Sequence, residues 1–309
     1  MNSQVIGIDI GGSAIKLGRY DLQGKCHQLL SVSTPQPATP LKVFGVLVDA
    51  IAQILPGYSS PGLGVTQGEV RAIGIGLPGP VDSTGRTARV AINLQDWKDV
   101  PLAEWVEAKI GLPVIMANDA NCAGLGEAWL GAGQGIQNLV VITLGTGVGG
   151  AVILEGKLFV GHRGSAGELG LITLNPDGPL CNSGNQGSLE QYVSVQAIRR
   201  LTGLDPAELA ARAYGGEIAA LEFWQQYGRW LGAGLASLIY VLTPEAIILG
   251  GGISAGAELF LPETKAEIER RVLPSSREGI QLLIAELGNQ AGAVGAARLA
   301  LQTFSSLEL

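Results

Sequence analysis

The chain has 309 residues, enough for one large domain or two of about 150 residues. A net charge of −7, with no run of Lys or Arg longer than a pair, argues against a nucleic-acid or anionic-membrane surface. Its 46 glycines are about twice the usual share, but no G-X-Y period accompanies them and 47% of the residues are apolar, so a collagen-like or disordered chain is excluded.

The first apolar stretch, "IGIDIGGSAIKLGRYD" over residues 6–21, runs into glycines behind an aspartate, as several phosphate-binding sites do. A dinucleotide fold or a P-loop requires a helix next. Here Ile15 and Leu17 alternate with Lys16, and a turn containing glycine follows within a few residues, which predicts a strand. Gly11, Gly12 and Ser13 therefore join two strands. The backbone N–H groups of such a turn can cup a phosphate, with Asp9 beside them as a metal ligand and Lys16 as a cation. A plain hairpin is the alternative.

"GIGLPG" over residues 74–79 has nominal G-x-G-x-x-G spacing, but Pro78 inside it makes the match a false one. "LPVIMANDANCAGLGEAWLGAG" predicts a short strand to Met116 and a helix from about residue 120 to 130, closed by glycine. Asp119 then stands where a strand ends and a helix begins, the place where ligands of α/β folds collect. A kinase needs a carboxylate there to take the acceptor hydroxyl's proton, and an ordinary N-cap favours the same residue type. Asn118 beside it can orient a sugar hydroxyl as donor and acceptor.

"LVVITLGTGVGGAVILEGKLF" over residues 139–159 repeats the opening pattern, with Gly145, Thr146 and Gly147 as a second phosphate-facing turn. It too matches G-x-G-x-x-G nominally, but a β-branched strand follows. Two such turns predict a duplicated fold whose halves face a shared cleft, an arrangement suited to phosphoryl transfer, which depends on positioning and charge neutralisation. Residues 161–194 read as loop and place Glu168 and Glu190 near polar turns, where carboxylates can accept paired hydrogen bonds from a sugar, although solvated surface acids look the same. In residues 244–273 a buried strand meets Gly250, Gly251 and Gly252 and then helical spacing; backbone at this corner can lie against a nucleotide's ring or sugar, or merely allow close helix–sheet packing. "GAVGAARLALQTF" reads as a closing helix from about residue 295, packed on a sheet.

Cys26, Cys122 and Cys181 lie far apart without a C-x-x-C, so reduced thiols are expected. No signal-peptide pattern opens the chain, and the most apolar stretch, residues 228–244, is too short to span a bilayer and ends at a proline. A cytoplasmic protein is expected.

On these residues the sequence resembles the ROK family (repressor, open reading frame, kinase), sugar kinases of the actin/hexokinase superfamily. "DIGGSAIK", "LPGPVD", "NLQDW", "NDANCAGLGE", "TLGTGVGGA", "GSAGELG", "GSLEQYVS", "AIILGGGIS" and "GNQAGAVGAARLA" carry the likeness, in this order, along nearly the whole chain. The resemblance implies an α/β, two-lobed actin-like ATPase (ribonuclease H-like) fold with duplicated β-hairpin phosphate loops and a central cleft. The smaller lobe would comprise residues 1–117 and 295–309, the larger residues 118–294. It implies ATP-dependent phosphorylation of a hexose, glucose foremost, with Asp119 as the base and Gly79, Asn93, Asn118, Glu168 and Glu190 lining the sugar pocket. Asp9 would hold Mg²⁺ through water, the two hairpins would hold the phosphates, and Gly250 to Gly252 would face the adenosine. Hexose and ATP are the expected partners, without nucleic acid or membrane; a homodimer is admitted. Family repressors carry an added N-terminal helix-turn-helix, whereas the first strand begins here within five residues, so a kinase is expected. Other readings are a kinase of another hexose or N-acetylhexosamine, a non-catalytic sugar sensor, and, because "IDIGGSAIK" and "TPQPATP" also resemble polyphosphate glucokinases, polyphosphate as donor.

The resemblance breaks at one place. Many ROK kinases bind zinc through a histidine and three cysteines, at positions that read Leu171, Cys181, Ser183 and Ser188 here. Leucine offers no donor atom and serine hydroxyls are poor zinc ligands, so no zinc is expected and the loop must be held by hydrogen bonds and packing.

Overall fold

The computed structural model describes residues 3–55, 70–91 and 94–304. They form two compact units, the first made of Met1–Gly135, Ala151–Gly167 and Leu287–Leu309, the second of Ile136–Gly150 and Glu168–Glu286. In chain order the first unit opens with strands β1 (Gln4–Ile10), β2 (Ala14–Asp21) and β3 (Cys26–Ser33), helix α1 (Pro40–Ile54) and β4 (Val70–Leu77). The short pair β5 (Ala88–Val90) and β6 (Lys98–Val100), then α2 (Leu102–Ile110), β7 (Val114–Asn118) and α3 (Asp119–Leu130) follow. Strands β8 (Leu139–Leu144), β9 (Val148–Leu154) and β10 (Lys157–Leu158) precede α4 (Glu190–Val193), α5 (Val195–Thr202), α6 (Pro206–Tyr214) and α7 (Ile218–Leu242). Last come β11 (Ala246–Gly250), α8 (Leu261–Arg271), α9 (Pro274–Arg277), β12 (Gln281–Ile284) and α10 (Ala291–Thr303).

The strands assemble into two five-stranded sheets of identical plan, β3-β2-β1-β4-β7 and β10-β9-β8-β11-β12. In the first, β1 runs antiparallel to β2 and parallel to β4, which is parallel to β7; in the second, β11 is parallel to both β8 and β12. The expected duplication is thus a duplication of sheet topology. Residues 14–19, the segment on which the reading of the first glycines depends, are strand. The inner strands β1, β4, β8 and β11 are buried along almost their whole length, which explains their continuous apolar sequence.

Helix α10 packs on the first sheet without side chains between the two backbones. A Cβ on Gly74 would lie 1.8 Å from the Ala296 carbonyl oxygen, and one on Gly295 would lie 1.6 Å from that of Cys122 in α3. Only glycine permits such an approach. Because α3 and α10 meet in this way, α3 sits in the first unit, as do residues 151–167, whereas the sequence places everything from residue 118 to 294 in one lobe. The closing helix also starts at Ala291, one turn before the expected residue 295. After Gly250 the chain does not enter an α-helix directly: Gly251 takes φ +86°, a 3₁₀ stretch covers Gly252–Leu259, and α8 begins only at Leu261. No helix among the described residues is long and apolar enough to cross a membrane.

Candidate active site

The first glycine turn is built by strand register. Asp9 and Lys16 are direct cross-strand partners one position from the turn of the β1–β2 hairpin, where Lys16 Nζ stands 4.0 Å from Asp9 Oδ2 and donates to the Asn289 carbonyl at 3.2 Å. The turn itself is closed by Gly11 N–H donating to the Ala14 carbonyl at 2.9 Å. Thr34 grips it from β3's end, its hydroxyl donating to the Gly11 carbonyl at 2.6 Å and its N–H to the Ser13 carbonyl at 3.0 Å; Gln36 adds a bond to the Gly12 carbonyl at 3.3 Å. The turn's carbonyls are thereby engaged by protein, which leaves its amide side for an anion. Thr34 and Gln36 belong to the segment "TPQPATP", so that segment buttresses the turn.

Asp9 stands 19% exposed, and burial raises its carboxyl pKa to about 6, against the attraction of Lys16 and assisted by the negative charge of Asp119. The negative charge of Asp119 acting on Asp9 puts these two carboxylates of the first unit in one neighbourhood.

At the β7–α3 corner the division of labour differs from the simplest reading of Asp119 as a helix cap. The cap is Asn118, whose Oδ1 accepts from Ala120 N–H at 2.9 Å and Asn121 N–H at 3.3 Å. Asn118 Nδ2 donates to the Gly79 carbonyl at 3.3 Å, so Gly79, at φ +97°, and Asn118 meet. Asp119 is the first helical residue. Its Oδ1 accepts from Ala120 N–H at 2.8 Å, and burial holds its carboxyl pKa above the ordinary carboxylate value despite that bond. A half-buried carboxylate held in place by Ala120 N–H and by the Asn118 side chain suits a proton acceptor.

In the second unit Gly145 N–H donates to the Gly147 carbonyl at 3.0 Å, forming the second tight turn, with Thr146 exposed at its tip. Glu190 lies beneath that turn, its Oε2 accepting from Val148 N–H at 2.9 Å. Glu168 is exposed and precedes the 3₁₀ turn Leu169–Leu171. Gly251 and Gly252 are exposed at the end of β11, and Gly250 is buried within it. Asn93 lies outside the described residues.

Three contributors carried no sequence signal of their own. Asn185 holds the loop around Cys181, donating from Nδ2 to the Leu171 carbonyl at 2.8 Å and to Thr173 Oγ1 at 3.1 Å, while its carbonyl accepts from Cys181 N–H at 2.8 Å. Asn289 receives Lys16, and Gly292 makes room for Asp9; only Gly292, spaced one turn from Gly295, could have been suspected from helical periodicity. Among the described residues no group of three or more His, Cys, Asp or Glu side chains gathers as a metal site.

The ROK family model matches residues 5–303. The chain is 38% identical to the glucokinase of Streptomyces coelicolor, over 96% of each chain. Among solved structures it is similar to a ROK family glucokinase from Streptomyces griseus in complex with glucose and AMPPNP, at 37% identity and a TM-score of 0.77, covering 97% of this chain and 100% of that one. It is also similar to the ROK hexokinase of Thermus thermophilus, at 32% identity and a TM-score of 0.84, covering 98% and 99%.

Proposed function

Because this chain belongs to the ROK family, we propose that it is an ATP-dependent glucokinase that transfers the γ-phosphoryl group of ATP to the 6-hydroxyl of glucose. The observation that carries this reading is the β7–α3 corner, where Asn118 does the capping and leaves Asp119 as a half-buried carboxylate of raised pKa. In the reaction Asp119 accepts the proton of the attacking hydroxyl as the oxygen–phosphorus bond forms. Asn118, bonded through its side chain to the Gly79 carbonyl and to Asp119, fixes the corner at which the sugar would dock. Gly79, Asn93, Glu168 and Glu190 complete the proposed sugar contacts. The turns at Gly11 to Ser13 and Gly145 to Gly147, whose first amides close the turns themselves, offer the amides that follow to phosphate oxygens, with Lys16 adding a cation, and Gly250 to Gly252 offer backbone to the nucleoside.

The donor set fits magnesium. Asp9 is partly buried and feels the negative charge of Asp119, and a hard divalent cation prefers carboxylate oxygen and retained water. Asp9 would hold it through water, and the cation would neutralise charge on the transferring phosphoryl group. The reading places the reaction in the cytoplasm, where both substrates are at hand.

A coupled assay of ADP release tests the proposal, with hexoses and N-acetylhexosamines as acceptors and ATP or polyphosphate as donor. Magnesium-dependent turnover highest with glucose and ATP is expected. Binding of glucose without turnover would favour a sugar sensor, and preference for polyphosphate would reassign the donor.

A further inference from the structure

The second glycine turn is gripped at both ends by one short segment. Val195 N–H, at the start of α5, donates to the Gly145 carbonyl at 2.9 Å, and Glu190, at the start of α4, accepts from Val148 N–H at 2.9 Å. Gly147 lies so close that a Cβ on it would stand 2.4 Å from Glu190 Oε2. The other carboxylate oxygen is not idle: Cys181 Sγ, itself buried, lies 3.9 Å from Glu190 Oε1 as a thiol donor. Glu190 therefore spans from the loop around Cys181 to the backbone of the turn.

We propose that Glu190 is a positioning residue for the donor phosphate, fixing the Gly145-Val148 turn through its Oε2 independently of any contact it makes to sugar. The inference rests on the kinase reading above and adds a donor-side role to a residue assigned there to the acceptor. A carboxylate beside a phosphate turn repels the phosphate, so it is retained at an electrostatic cost. What offsets that cost is geometry: an N–H···O⁻ bond is among the stronger hydrogen bonds, and it holds the Val148 amide in one orientation. Cys181 completes the arrangement by holding the outer oxygen.

The two effects have opposite signs, which makes the idea testable without turnover. Affinity for the ATP analogue AMPPNP is measured by calorimetry on the intact protein in the absence of sugar, where a sugar contact has no influence. Glu190→Ala should weaken AMPPNP binding by about tenfold, the loss expected for a charged hydrogen bond. Glu190→Gln, which removes the charge but keeps an acceptor for Val148 N–H, should bind within about threefold of the parent. Gly147→Ala, which pushes the carboxylate aside with Glu190 unaltered, should reproduce the loss and serves in place of Glu190→Ala if that variant fails to fold. AMPPNP binding by Glu190→Ala or Gly147→Ala as tight as the parent's, or tighter, would overturn the inference. If the parent itself bound no AMPPNP, the kinase reading would fall instead.

Discussion

The carboxyl carbon of Asp9 on β1 lies 2.7 Å from the point where a Cβ on Gly292 of α10 would stand. The two residues are far apart in sequence, yet the first turn of α10 is shaped around that carboxylate. Gly292→Ala should therefore displace Asp9 rather than the helix, because alanine is the better helix former. Turnover should drop at least tenfold while the thermal midpoint stays within a few degrees, and full activity in this variant would show that Asp9 has no fixed place in the reaction.

Asp119→Asn should keep the fold, since Asn118 supplies the cap and an amide oxygen can still accept from Ala120 N–H. The proton acceptor is lost, so kcat should fall by about 10²- to 10⁴-fold with little change in glucose affinity. Near-normal kcat would reduce Asp119 to a structural role. In the parent protein the acid limb of kcat/KM should lie above the ordinary carboxylate value of 3.8, because burial raises the pKa of Asp119 and the base works only when ionised.

Asp9 carries a stability cost at neutral pH. Its folded-state pKa of about 6 exceeds the ordinary 3.8, so the folded state favours the proton; the associated stability is complete below 3.8 and lost as pH rises through about 6. Asp9→Asn should raise stability at pH 7 by roughly 1 to 3 kcal/mol, a gain that vanishes near pH 4, while abolishing magnesium-dependent turnover. Denaturant melts at the two pH values measure this; equal gains at both would mean that the charge is not the cause.

The protein should carry no stoichiometric zinc. Cys181 is joined at the expected ligand positions only by Ser183, Ser188 and Leu171, and the loop is held by Asn185. A zinc-selective chelator should leave activity unchanged, whereas Asn185→Ala, which loses the part-buried bond to the Leu171 carbonyl, should loosen the loop and destabilise it by about 1 kcal/mol. One equivalent of zinc by elemental analysis would contradict this.

Local periodicity was enough to separate strand from helix after Asp9, because alternation along "AIKLG" is a property of neighbouring residues, and the same logic found the repeated turn at Gly145 to Gly147 and the strand–helix corner at Asp119. Those features follow from spacing within a few residues. The structure decided matters of distance between remote segments: that Asn118 rather than Asp119 caps α3, that α10 begins early enough for Gly292 to meet Asp9, and that Glu190 sits under the second turn instead of standing apart from it. Such contacts depend on how closely two backbones pack and on which hydrogen bonds that packing leaves to be made, and no local pattern in the chain encodes either.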